Sequence, residues 1–298
     1  MPLILTYKVN VQDNNQSLGA FLKKKELSRK AIIALKHRGG KICINWQEKT
    51  TRTMLCAEDV VSVIFPDEPV SNLLLPIKMP LHIVHEDDFL LVVDKKEGLP
   101  VVPSGNHRIS LANGILAYYE KIGLKSAVHF VNRLDKDTSG LLVIAKYRHV
   151  HHLMTADISK LTRKYYALIS GVIKTSGRVD APIIKPSAPS IKRAIHPSGQ
   201  RAITHYEIVQ QFKDATLIKC ILETGRTHQI RIHMSHLGHP ILKDPLYGTG
   251  SEGDKQLLHS YFLEFIHPMT EEKMRFERPI PSRFEIDHLV PQTSPTIR

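Results

Sequence analysis

Cysteine is scarce in this chain, and its scarcity removes two classes of protein at once. Cys43, Cys56 and Cys220 are odd in number and far apart, so they form neither a disulfide framework nor a pair at metal-ligand spacing. Long apolar runs are missing too. Stretches such as Phe89–Val93 have the length of a strand, well short of the roughly 20 residues that a membrane-spanning helix needs. The opening MPLILTYKVNVQDNN is too polar for a secretory leader, so a cytoplasmic protein with no membrane association is expected. Acidic residues fall short as well. There are 29 Asp and Glu against 41 Lys and Arg, and the net charge of +12 favours a polyanionic partner whose counterions these cations release. Apolar residues are present in ordinary amount, at 42%, which suffices for a core around a solvent-excluded cleft. A length of 298 residues suits one large domain and one small one.

Residues 1–12 read as an extended edge segment and 13–66 as a compact unit. Leu18, Phe21, Leu22, Ile32, Ile33 and Leu35 recur at helical spacings, predicting two short helices. Ser28 is placed to cap the second, and Gly39-Gly40 to end it. Lys41–Asn45 alternates like a strand, and Val60–Phe65 predicts another. The helices carry Lys23, Lys24, Lys25, Arg29, Lys30, Lys36, His37 and Arg38, a basic stripe. Residues 67–80, with three prolines, read as a linker. A second domain follows over 81–288, and residues 289–298 read as a disordered tail. Within the second domain IVHEDDFLLVVD predicts strand, turn and strand. A helix is predicted near 111–122, strands near 128–135, 140–146, 163–172, 201–210, 214–223, 228–234 and 258–266, and helices near 147–156 and 234–238. Strands with helices inserted irregularly define an α+β class.

The stretch FVNRLDKDTSGLLVIAK, residues 130–146, is the most informative. Leu141–Ile144 reads as a buried strand, so the polar NRLDKDTSG before it is a loop entering the core. Thr138, Ser139 and Gly140 suit a tight turn that holds a neighbouring carboxylate. Such a carboxylate stays ionised and can attack an electron-poor carbon, although turn chemistry alone also allows Asp135 merely to cap the turn. The whole string resembles the catalytic loop of the RluA/RluD-type RNA pseudouridine synthases, His-Arg-Leu-Asp-x-x-Thr-Ser-Gly-Leu-Leu, with Asn132 where that family usually has His. Arg163–Gly171 is similar to its Lys-x-Tyr-x-Ala segment, and Glu223–Arg231 to its Thr-Gly-Arg-Thr-His-Gln-Ile-Arg segment. The likeness runs on through Gly238-His239-Pro240 and Asp244-Pro245-Leu246-Tyr247-Gly248. Lys96 stands where a proline is common. The run FLKKKELSRKAIIALKHRGGKICINWQ, with CAEDVVSVIF after it, resembles an S4-type RNA-binding domain. Together these likenesses cover about residues 15–285.

The resemblance implies a mixed, mostly antiparallel sheet with a central basic cleft, joined to a small N-terminal S4-like αβ domain. It implies isomerisation of uridine to pseudouridine in RNA, on large-subunit ribosomal RNA ahead of transfer RNA, a reaction that needs no cofactor and no metal. A monomer is the default expectation. Asp135 is implied as the nucleophile and Arg226 as the guanidinium that keeps it ionised. Loss of Arg226 is then expected to cost on the order of 3–5 kcal/mol if the pair is buried. Tyr165 is implied to stack on the extruded uracil and to take part in removing the C5 proton. Arg133, Thr138, His228 and Arg231 are expected to contact the RNA. The S4-like unit is expected to add affinity and not catalysis, so deleting residues 1–66 should raise the apparent KM more than it lowers kcat.

Other readings are weaker. His228, His233, His236 and His239 could suggest a zinc cluster, but no Cys or carboxylate completes a ligand set. Asp135 and Asp137 could suggest a glycoside hydrolase, yet their spacing gives no sign of the carboxylate separation that chemistry requires. A non-catalytic RNA-binding protein would be expected to have lost Asp135, Tyr165 or Arg226, and all three are present.

Overall fold

The computed structural model describes residues 2–105, 107–186 and 192–285, and the predicted tail at 289–298 lies outside them. In chain order the elements are β1 (Ile4–Lys8), α1 (Leu18–Lys24), α2 (Arg29–His37), β2 (Lys41–Ile44), β3 (Gln47–Glu48), β4 (Val60–Ile64), β5 (Ile83–Glu86), β6 (Leu90–Lys95) and α3 (Leu111–Lys121). There follow β7 (His129–Phe130), β8 (Ser139–Ala145), α4 (Arg148–Ala156), β9 (Thr162–Ser170), β10 (Gly177–Asp180), β11 (Ile183–Ile184), β12 (Ala194–Ile195), β13 (Ile203–Gln211), β14 (Ala215–Leu222), α5 (Gln229–His236), β15 (Leu258–Ile266) and β16 (Lys273–Glu277). They form two compact units: residues 1–79 with 112–129 and 145–156, and residues 80–111 with 130–144 and 157–298.

In the first unit β1–β4 build an antiparallel sheet in the order β1-β4-β2-β3. Ser17 and Ser28 accept hydrogen bonds from the backbone N–H groups of Ala20 and Ala31, satisfying donors that helix starts leave open. Leu18, Phe21, Leu22 and Leu35 bury one face of the helices, along with Val61 and Val63 of β4. Residues 67–80 are tied down along their length. Glu68 lies 2.6 Å from the His129 ring and accepts from the Arg148 N–H at 2.7 Å, while the Asn113 amide donates to Leu75 O and Ile77 N–H donates to Asn113 O. The prolines here shape a strap and do not free a spacer.

The second unit is built on a ten-stranded sheet ordered β10-β13-β14-β9-β15-β8-β6-β5, with β16 added on β15 and β7 on β8. The pairs β10-β13, β13-β14, β14-β9, β9-β15, β15-β16 and β6-β5 are antiparallel, and β15 with β8 is parallel. Every residue of β8 is buried, as the Leu-Leu-Val-Ile run predicts for a central strand. Gly140, the second residue of β8, has φ +110° and is pressed against the Ser260 backbone so closely that a Cβ would overlap it. Glycine is required there on both counts.

Two predictions fail in this unit. The strand expected near 128–135 shrinks to β7, because residues 131–138 are held as a loop. The strand expected over 228–234 is helix α5. Gln229–Met234 are all buried, so no polar face shows which period applies. The helix start is set by side-chain bonds: Gln229 accepts from Thr224 Oγ1 and the Arg226 N–H, and donates to Ile203 O.

Candidate active site

The loop between β7 and β8 carries Asp135 and is pinned on both sides of it. Upstream, buried Asn132 accepts from the Val143 N–H at 2.8 Å and turns its amide NH2 to Leu141 O at 3.5 Å. The residue that departs from the RluA/RluD pattern therefore anchors the loop to β8. Downstream, the Lys95 ammonium is fully buried and donates to Lys136 O, Lys96 O and Leu99 O at 2.8–2.9 Å. Burial pulls its pKa down to about 8. A lysine in a charged KKEG string looks solvent-exposed, and nothing in the sequence marks it as an internal brace. Thr138 closes the turn by donating its N–H to Asp135 O, and its hydroxyl accepts from Gln256. The turn thus holds the backbone of Asp135, not its carboxylate, and the Thr138 hydroxyl is already engaged.

The carboxylate is held by Arg231. Nη1 of Arg231 donates to Asp135 Oδ2 at 3.1 Å, while its Nε and Nη2 form a fork on Asp244 at 2.8 Å each. Asp244 is completely buried and also accepts from the N–H groups of Leu246 and Tyr247. Burial works to raise the Asp244 pKa, but the bonds and charge of Arg231 outweigh it and hold the carboxyl below its usual range. Burial likewise works against the Arg231 cation, and the two carboxylates overcome it. The Arg231 guanidinium also lies 5.2 Å from the Tyr247 ring centroid. The expected partner of Asp135 was Arg226. Its side chain is exposed and donates instead to Arg201 O at 3.1 Å. Helix α5 explains the exchange, since it turns Arg231 inward from a buried face and leaves Arg226 on the preceding loop.

Asp135 opens onto a cleft of about 870 Å³ that Arg133, Tyr165, Arg163, Arg226 and His228 also line. Tyr165 is buried on β9. Burial pushes its phenol above the ordinary value. Arg163, two residues earlier, is buried with Nε and Nη2 lacking partners among the described residues. It packs against Gly225, where any Cβ would collide with its guanidinium. Arg133 is exposed at the cleft. His228 sits at φ +59°, with Nδ1 2.9 Å from the Tyr247 hydroxyl and Nε2 3.9 Å from Asp135. Burial lowers its pKa despite the nearby carboxylate. His233 and His239 point to separate partners, His233 to Thr204 and Ala181 O and His239 to Ser170 O.

The family model described as RNA pseudouridylate synthase matches residues 89–236. The chain is 42% identical over 260 residues to the uncharacterized RNA pseudouridine synthase YjbO of Bacillus subtilis, covering 86% of this chain and 92% of that one. It is 39% identical over 227 residues to the ribosomal large subunit pseudouridine synthase D of Haemophilus ducreyi, covering 70% of each. Among solved structures, human RNA pseudouridylate synthase domain containing 4 superposes with a TM-score of 0.56 at 24% identity, over 68% of this chain and 90% of that one, which shows the shared fold. The chain belongs to the RNA pseudouridine synthase family, and it is an isomerase that converts uridine to pseudouridine within RNA.

Proposed function

We propose that the chain modifies large-subunit ribosomal RNA, with Asp135 as its nucleophile and Arg231 as the group that keeps Asp135 ionised. The observation that carries this reading is the Arg231 bridge, which holds Oδ2 of Asp135 in the cleft and leaves Oδ1 without a protein partner among the described residues. In the reaction Asp135 attacks C1′ as the N1–C1′ bond breaks. The uracil turns, C5 joins C1′, and the aspartate leaves. One proton departs C5 and one ends on N1, so the product is an isomer. Tyr165 walls the turning base. Because its phenol holds its proton, it can take the C5 proton only while passing its own on. Arg133, Arg163 and Arg226 supply cations for the RNA backbone, and a target uridine reaches the cleft only when unpaired or extruded.

The basic first unit serves as an S4-like RNA-binding module. Residues 1–66 hold eleven Lys and Arg against five Asp and Glu, which supports that role. Deleting residues 1–66 is a less clean test than it looks, since Phe65 stacks on His149 of the same unit at 5.3 Å. The protein is proposed to act as a cytoplasmic monomer. Among the described residues no helix is long and apolar enough to cross a membrane.

The substrate class is tested by tritium release from RNA labelled at C5 of uridine, prepared from cells lacking this protein. Release from ribosomal but not transfer RNA is expected. Release from transfer RNA alone would replace the substrate and keep the chemistry.

A further inference from the structure

The loop joining β2 to β3 has two residues, Asn45 and Trp46, flanked by the Ile44–Gln47 pair. Both have positive φ, +49° and +68°. That is the pattern of a type I′ turn, in which Asn-Gly is strongly favoured. Asn45 suits its place: its side chain donates to Asp59 and accepts from the Val60 N–H, while its own N–H donates to Val60 O. Trp46 does not. The left-handed region penalises every residue but glycine, and bulky ones most. The ring recovers nothing in return, being 77% exposed with no ring contact or hydrogen bond among the described residues. A strained residue that contributes nothing to its own fold points to a use outside it.

The surroundings indicate what that use is. Within residues 41–52 Trp46 is the only exposed large hydrophobic side chain, too little for a protein interface. Exposed Lys49 and Arg52 follow it in the chain, with Glu48 and the Asp59 that Asn45 bonds as the acids, on a unit whose residues 1–66 carry eleven Lys and Arg against five Asp and Glu. A single flat exposed ring on a basic unit matches an unpaired nucleobase.

We infer that Trp46 is a stacking platform for an unpaired RNA base, set on the hairpin tip of the first unit outside the catalytic cleft. This rests on the reading that the chain binds RNA through that unit. Trp46 is the sole tryptophan, so its emission reports the site alone. The test titrates the full-length protein with single-stranded oligoadenylate, which offers no uridine to the catalytic cleft. Saturable quenching is expected. Trp46→Gly should weaken binding about tenfold, within the range for loss of one stacked base, and Trp46→Phe should fall between. Trp46→Gly should melt no lower than wild type, because glycine suits this backbone. It should also release tritium from saturating ribosomal RNA at the wild-type kcat. Unchanged emission at saturation, unchanged affinity in Trp46→Gly, or a lower melting temperature for that variant would each overturn the inference. So would equal quenching by a duplex of the same length, whose bases are already stacked. Failure of wild-type tritium release would instead reject the catalytic reading while leaving the fluorescence result standing.

Discussion

Replacing Arg231 by lysine separates the charge of this residue from its shape. Arg231 spends Nε and Nη2 on Asp244 and Nη1 on Asp135. One ammonium cannot occupy both ends of that fork. Asp244 is wholly buried, whereas the Asp135 side chain keeps 24% of its exposure, so the desolvated Asp244 claims the cation. Asp135 then loses the guanidinium that holds it while the net charge is unchanged. Loss of one charge-stabilising donor at a reacting centre costs roughly 10²–10³ in kcat. Stability should fall by about 1.5–3 kcal/mol, the worth of a hydrogen bond to a charged group. Arg231→Met, which strands both carboxylates, should cost about 3–5 kcal/mol. Single-turnover tritium release at saturating RNA, paired with denaturant unfolding, measures both effects. A Lys variant with wild-type kcat would refute the assignment, and so would an equal kcat loss in Arg226→Lys.

Arg226→Ala should leave kcat at saturating RNA intact and weaken binding, lowering the salt slope by roughly 0.7 if one single-strand phosphate contact is lost; a collapse of kcat would return Arg226 to the role of carboxylate partner. Tyr165→Phe keeps the wall and removes the hydroxyl, so RNA binding should persist while tritium release drops by roughly 10²–10⁴, the usual worth of a positioned proton-transfer group. Burial lowers the pKa of His149 and of His259 to about 4, so both are neutral when folded and take up protons on unfolding below their ordinary value of 6.5. Folding stability should therefore decline as pH falls from 6.5 towards 4, each histidine contributing a slope that approaches about 1.4 kcal/mol per pH unit. Urea titrations across that range measure it, and His259→Gln should remove one proton from the slope.

The turn at 135–140 was legible because its bonds are local: the Thr138 N–H closes on Asp135 O, and Gly140 supplies a positive φ. The cap at Ser28 follows from local hydrogen bonding in the same way. The choice between Arg226 and Arg231 was not legible. Both lie in one run, and Arg226 was expected to pair with the carboxylate only because the resemblance implied it. Only the winding of α5, fixed through Gln229 bonds to Thr224 and Ile203, turns Arg231 inward. Asp244 reads as a turn residue in Asp-Pro-Leu-Tyr-Gly, and Lys95 as a surface charge. Their roles come from carbonyls and a guanidinium contributed by distant segments. Residues 67–80 looked like a linker for the same reason, since Glu68 meets His129 only in the folded unit.

The central claim is that the Asp135 carboxylate performs the isomerisation. Asp135→Asn removes its negative charge at nearly constant shape, so the Arg231–Asp244 fork and the cleft should survive. Tritium release from ribosomal RNA should vanish in this variant while its RNA affinity and melting temperature remain close to wild type. Release at an appreciable fraction of the wild-type rate would contradict the account.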